Sequence, residues 1–336
     1  MVNWFKSELE ALLAQKPQLP HALLLKGPRG IGKQAFALEL ARGLLCETPA
    51  AGGSACGRCS ACDWFASGNH PDFRLLAPAA ETDVPAEAEE GAKKTKASAW
   101  ISIEQVRDLH DFIHVSSHRG GRKIIVVAPA EALNVSAANA LLKNLEEPPP
   151  LTHFILLSHR PHRLPRTIVS RCRQLGLREP DRDVALRWLG EQGVENPEVA
   201  LAQYSGAPLL ALEAGENGEL SGRREFLGHI VSPDFDPVAV AEQYRDLPLE
   251  RFLGWLQKWT CDIAEQRMLG RVRYNPDMTR ELSQLARRVE PLAVLRLQRK
   301  LVREQRHVQH PLNARLYFES VLFAYAALVN PQRGAN

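Results

Sequence analysis

The segment that most constrains the fold is His21-Ala-Leu-Leu-Leu-Lys-Gly27-Pro-Arg-Gly30-Ile-Gly32-Lys33-Gln34. An apolar run leads into a glycine-rich turn and then a helical pattern to about Leu45, which reads as strand, loop and helix. Gly27, Gly32 and Lys33 satisfy G-x-x-x-x-G-K, with Gly30 as a third glycine. In such a loop the glycines let backbone N–H groups surround a phosphate at a helix N-terminus, while the lysine reaches its outer oxygens. The next position should carry a hydroxyl that holds magnesium. Gln34 stands there, and a long amide replaces a hydroxyl poorly in that tight geometry. Two readings follow: a nucleotide-binding loop, or an inherited phosphate loop that serves only as a turn.

Hydrolysis requires a second element, an apolar strand ending in an acid that coordinates magnesium, followed by a glutamate that orients water. The candidate strand, Lys123-Ile-Ile-Val-Val-Ala128, continues Pro129-Ala130-Glu131. Ala128 and Pro129 occupy the positions where the acids belong. Glu131 comes about three residues late, on the expected turn beyond the strand. Loss of both the hydroxyl and the acid argues against ATPase activity more strongly than either loss alone.

Cys46, Cys56, Cys59 and Cys62 are spaced C-x9-C-x2-C-x2-C in a loop rich in Gly, Ala and Ser. Short C-x2-C steps let thiolates converge on one ion, and the longer arm brings a fourth from the end of the preceding helix. Four sulfurs leave no open position for water, so a structural zinc is expected, with a redox or iron–sulfur role as the alternative. Cys172 and Cys261 stand alone and read as small buried hydrophobes.

The 336 residues carry 42 Lys+Arg against 39 Asp+Glu, a formal charge of +3. That balance does not make the whole surface a nucleic-acid or membrane binder, so any such contact needs a local patch. No run approaches the ~18–20 apolar residues of a membrane span, and Met1-Val2-Asn3-Trp4-Phe5-Lys6 lacks a signal-peptide layout. A cytoplasmic, reducing compartment is the expectation.

Further along lie Asn139-Ala-Leu-Leu-Lys-Asn-Leu-Glu-Glu-Pro-Pro149, the strand Phe154-Ile-Leu-Leu157, and Leu164-Pro-Arg-Thr-Ile-Val-Ser170-Arg171-Cys172. By their residues these are an amphipathic helix stopped by prolines, a buried strand and a short arginine-rich element. Arg160, Arg163, Arg166, Arg171 and Arg173 form a run with no acid between Ser158 and Arg173. Taken alone, the run reads as a solvated face or a phosphate-contact patch. Together these strings closely resemble the AAA+ subunits of sliding-clamp loaders, over the first half of the chain. In that family the S-R-C arginine reaches a neighbour's nucleotide, so the resemblance implies that Arg171 is an arginine finger acting in trans. Motor subunits combine zinc cysteines and S-R-C with a complete ATP site, whereas delta-type subunits lack both zinc and S-R-C. Here zinc ligands and S-R-C accompany a broken ATP site. In the stretch resembling the second sensor, Ser205-Gly206-Ala207-Pro208-Leu209, Leu209 stands where active members place an arginine.

The implied fold is an α/β AAA+ domain with a P-loop NTPase-like parallel sheet over residues 1–178, containing a zinc module at 46–62. A helical lid at 179–219 and an all-α C-terminal collar at 220–336 follow. The implied role is a non-hydrolysing subunit beside motor subunits (gamma or tau) and a delta subunit, acting through the complex on the sliding clamp and primed DNA. Its own ATP binding is doubtful. An active P-loop ATPase or nucleotide kinase using Lys33 is the rival. An independent zinc-containing DNA binder is a third reading, opposed by the small charge and the lack of a finger-type histidine pair.

Smaller expectations concern single elements. Pro71–Leu76 should be a strand, 77–98 an exposed loop, and Ser102 the N-cap of a helix presenting Ile103, Val106, Leu109 and Phe112 or Ile113 on one face. Trp100 should pack, and His110, His114 and His118 should be surface residues. Val184–Gly190 and Pro197–Tyr204 should be helical. Leu312, Leu316 and Phe323 should share one helix face, and the basic run Arg296–Arg306 should be solvated or an interface.

Overall fold

The computed structural model describes residues 3–79, 98–115, 117, 121–305 and 313–330. Most of the 77–98 loop, His118, the His110 side chain, Arg306 and Leu312 lie outside the described residues. The chain divides into two compact units, Met1–Pro180 and Asp181–Asn336.

The first unit runs α1 (Lys6–Ala14), β1 (Ala22–Lys26), α2 (Lys33–Leu45), α3 (Ser60–Ala66), β2 (Phe73–Leu76), α4 (Ile103–His114), β3 (Lys123–Val127), α5 (Val135–Glu146), β4 (Thr152–Ser158), α6 (Arg166–Arg171) and β5 (Arg173–Gly176). The five strands pair in parallel in the order β2-β3-β4-β1-β5. Leu24 sits opposite Leu156 on one side and Gln174 on the other. Strands covered on both faces must be apolar throughout rather than alternating, and β3 and β4 are buried along their whole length. Leu24, Ile125, Val127, Phe154 and Leu156 share a core with Val106, Leu109 and Ile113 of α4, Leu141 and Leu145 of α5, and Ile168 of α6.

The chain leaves β1 for the far edge, steps back through β3 and β4, and passes β1 to reach β5. The direction of winding therefore reverses beside β1. Such a reversal opens a crevice at the carboxyl ends of the adjoining strands, where α/β sheets bind ligands.

Helix starts follow their caps. The Ser102 hydroxyl accepts from the Gln105 N–H at 3.4 Å and the Gln105 side chain accepts from the Ser102 N–H at 2.9 Å, a reciprocal box that opens α4. Val106, Leu109 and Ile113 are buried as the spacing predicts, whereas Ile103 and Phe112 are half-buried. Trp100 does not pack: it is 57% exposed, because the chain turns inward only at Ile101, which pairs with Leu133.

The second unit is helical: α7 (Arg182–Glu191), α8 (Pro197–Gln203), α9 (Pro208–Glu216), α10 (Glu219–Val231), α11 (Pro237–Gln243), α12 (Leu249–Leu269), α13 (Thr279–Arg288), α14 (Pro291–Glu304) and α15 (Ala314–Val329). Its described residues include two separate apolar clusters. A small one joins Ala185, Leu189, Ala200, Leu201 and Ala211. A larger one is built on Phe226, Phe252, Trp259, Phe318 and Tyr325. Buried Asp262 accepts the backbone N–H groups of Arg273, Tyr274 and Asn275 and so shapes the turn after α12. Gln203 of α8 donates to the Tyr274 carbonyl on that turn at 2.7 Å.

On α15 Leu316 and Phe323 do share a face, but it is not the one that packs into the core. Leu316 and Phe323 are 60% and 53% exposed, while Tyr317, Phe318, Val321, Leu322 and Tyr325 are buried. This helix is apolar nearly all round, so periodicity alone does not choose a face. The aromatic stripe wins because Phe318 stacks on Phe252 at 4.1 Å and the Trp259 indole donates to the Tyr325 hydroxyl at 3.0 Å.

Candidate functional site

At the crevice, the loop after β1 carries Gly27, Gly30, Gly32 and Lys33, and Gly32 in left-handed geometry (φ +96°) is the N-cap of α2. Gly27 is required by contact as well as by motif: a Cβ there would lie 2.2 Å from the Leu177 carbonyl oxygen just past β5. The Trp4 indole donates to the Ile31 carbonyl at 2.9 Å and ties the N-terminal segment to the loop. Lys33 is only 2% exposed. Its amine donates to the loop's own Gly27 carbonyl at 2.8 Å and to the Pro28 carbonyl. Burial pushes this ammonium down to about 8, against the pull of the Glu131 charge. Gln34 opens α2 beside it.

Ala128 and Pro129 follow β3, and Glu131 lies on a short 3-10 turn, Ala130–Ala132. Its carboxylate accepts the N–H groups of His159 at 2.8 Å and Arg160 at 3.0 Å, just past the end of β4. Glu131 thus fastens the end of β3 to the end of β4 through main-chain bonds. Burial and the neighbouring Lys33 charge push His159 down to about 4, with Glu131 opposing. A carboxylate committed to two backbone donors is a structural clasp as much as an electrostatic partner for Lys33.

The four cysteines converge. Cys46 ends α2, Cys56 and Cys59 lie on the following loop, and Cys62 is in α3. Their sulfurs all lie within 4.8 Å of one another, with Cys46 and Cys59 3.9 Å apart. Four thiolates about 2.3 Å from a tetrahedral ion stand about 3.8 Å apart, so this arrangement can hold a metal ion. The Thr48 hydroxyl and the Arg58 N–H donate to the Cys56 sulfur and lower its thiol to about 6. Burial raises the Cys46 thiol to about 11. Outside the cluster, Cys172 is buried and its thiol is likewise pushed up to about 11, as a packing residue should be.

Arg171 closes α6 with its side chain 35% exposed. One terminal nitrogen donates to the Thr167 carbonyl at 3.0 Å, and the other pairs with Glu146 at the end of α5. Arg160, Arg163, Arg166 and Arg173 are exposed. In the second unit, Leu209 lies half-buried in the first turn of α9. Sequence reasoning found Glu131 but not its bonds, and it missed His159 and the pairing of Glu146. The place of Glu131 as clasp and the depressed His159 depend on how β3 and β4 end. Glu146 did carry a signal, as an acid in the last turn of a helix where the dipole disfavours it.

A family model described as "DNA polymerase III, delta subunit" matches residues 5–181. The "DNA polymerase III subunit delta'" of Pseudomonas aeruginosa is 35% identical over 342 residues, 97% of this chain and 98% of that one. The "DNA polymerase III subunit tau" of Escherichia coli is also 35% identical, but over 164 residues, 49% of this chain and 22% of tau. Among solved structures, a "dna polymerase iii, gamma subunit-related protein" of Thermotoga maritima aligns with a TM-score of 0.44 at 19% identity, covering 90% of this chain and 99% of that one. No helix among the described residues is long and apolar enough to cross a membrane.

Proposed function

The chain belongs to the delta-prime family of DNA polymerase III subunits, and on that premise we propose that it is the non-hydrolysing subunit of a clamp loader. It lends Arg171 to the nucleotide of a neighbouring motor subunit and helps set a sliding clamp on primed DNA. One asymmetry carries this reading. At its own crevice Gln34, Ala128 and Pro129 stand where a hydroxyl and two acids would handle magnesium, and Lys33 is turned back onto its own loop. At its surface Arg171 keeps a partly exposed guanidinium. The resemblance to delta' over nearly the whole chain, against half for tau, favours the same subunit.

Phosphoryl transfer spreads negative charge over the transferred group, and a guanidinium from the next subunit stabilises it, by roughly 10³–10⁵ in rate where measured in GTPases. Hydrolysis is then tied to assembly. In the same reading Cys46, Cys56, Cys59 and Cys62 hold one structural zinc, which pins the end of α2 to α3. Residues 179–219 form a lid and 220–336 a collar that meets the gamma or tau and delta subunits. Arg171→Ala in a reconstituted loader should leave assembly intact and lower its DNA- and clamp-stimulated ATPase; an unchanged rate would remove the finger role. Magnesium-dependent phosphate release by the chain alone, abolished by Lys33→Ala, would favour the active ATPase instead.

A further inference from the structure

Glu146 is the last residue of α5. The unpaired carbonyls of that end make it negative, so a carboxylate there is locally unfavourable, whereas Lys143 one turn earlier is the residue type the end prefers. Glu146 forms an ion pair with Arg171, from the neighbouring helix α6. Leu145 and Ile168, adjacent in sequence to this region of each helix, lie in one buried core, so α5 and α6 hold the two groups in fixed relation.

The guanidinium is therefore anchored at both terminal nitrogens: one on the Glu146 carboxylate, the other at 3.0 Å on the Thr167 carbonyl of its own helix. A guanidinium has five N–H donors, so two single contacts leave three for another acceptor. The Glu146 and Arg171 side chains are 46% and 35% exposed, open enough for a second molecule to reach them.

We propose that Glu146 is a positioning residue for Arg171: its carboxylate holds the guanidinium from one side, so the arginine meets a neighbour's nucleotide phosphate already ordered. This rests on the reading of Arg171 as a finger in trans. A long arginine side chain carries large rotamer entropy, and ordering it during folding removes that loss from the moment of contact. A partly exposed pair supplies only part of the ordering, so the effect on rate is about two- to fivefold, far below that of the arginine itself.

The test uses full-length chains with Glu146→Gln, Glu146→Asp, Arg171→Ala, or Glu146→Gln together with Arg171→Ala, each reconstituted with motor and delta subunits. Glu146→Gln should lower kcat of the stimulated ATPase about two- to fivefold at unchanged KM for ATP, with thermal melting and co-elution as in the parent. Glu146→Asp should recover part of the loss. The double variant should be no slower than Arg171→Ala alone, because Glu146 acts only through Arg171. An unchanged or raised kcat in Glu146→Gln would overturn the proposal, as would a further loss in the double variant or failure to co-elute. If Arg171→Ala is itself silent, the finger reading falls and takes this one with it. If Arg171→Ala is slow and Glu146→Gln is normal, only the role of Glu146 falls.

Discussion

His159 is a neutral imidazole enforced by its surroundings, with burial and the Lys33 ammonium both opposing its protonation and Glu131 only partly compensating. Its folded value of about 4 lies below the ordinary 6.5, so between those pH values the unfolded chain binds a proton that the folded chain does not. This contribution to stability is fully present above pH 6.5 and is lost as pH falls toward 4. Between pH 7 and pH 5 the loss is about 2 kcal/mol. His159→Asn should therefore narrow the difference in urea-unfolding free energy between those two pH values by about that amount. Equal pH dependence in parent and variant would show that the imidazole is not held neutral. None of this was legible in the sequence, where His159 is merely the residue after a buried strand. Sequence exposes motif residues such as Lys33 and Arg171, because their spacing encodes a loop or a short helix. It does not expose the clasp role of Glu131 or the neutral state of His159, which are set by the meeting of two strand ends far apart in the chain.

At the scale of elements, the strand, loop and helix around Gly27–Lys33 were readable because apolar period, glycine placement and helix signals agree locally. The same holds for the Ser102 cap and for α5, which its prolines stop. The face of α15 was not readable, because an apolar surface all round leaves the choice to aromatic partners on other helices. The cysteine module falls between these cases: spacing alone brought Cys46, Cys56, Cys59 and Cys62 together, and the contribution of Thr48 and Arg58 to the Cys56 thiol emerged only from the folded loop. Since Cys46 ends α2 and Cys62 lies in α3, a bound ion would cross-link two helices of the first unit. Metal analysis should return about one zinc per chain. Cys59→Ser should release it and lower the melting temperature of the protein, since metal binding to folded ligands adds to folding free energy. A zinc-free preparation that melts at the same temperature would remove the metal from the account.

At the scale of the whole molecule, the chemistry is divided between a first unit with the crevice, cysteines and Arg171, and a second unit whose described elements are all helices. A protein whose proposed role exists only in an assembly needs a surface that is apolar and yet left uncovered in the single chain. Among the described residues of the second unit, α14 and α15 each carry an apolar pair of this kind. Leu295 and Val302 lie seven residues apart on α14 and are 46% and 57% exposed, and Leu316 and Phe323 repeat the interval on α15. Seven residues is two helical turns, so each pair shares a face, turned away from the side that buries Val294, Leu297 and Leu301 or Phe318, Val321 and Tyr325 in the common core. Exposed Arg296 and Arg299 border the α14 pair and give it a charged rim. If this is where the collar meets its neighbours, Leu295→Glu combined with Phe323→Glu should weaken association with the motor and delta subunits at least about tenfold. It should change the stability of the chain by no more than about 1 kcal/mol, since both side chains already face solvent. Co-elution and urea titration of the same preparation separate the two effects. Intact assembly would move the contact surface elsewhere on the helical unit, whereas a large loss of stability would mean that these side chains belong to the fold rather than to an interface.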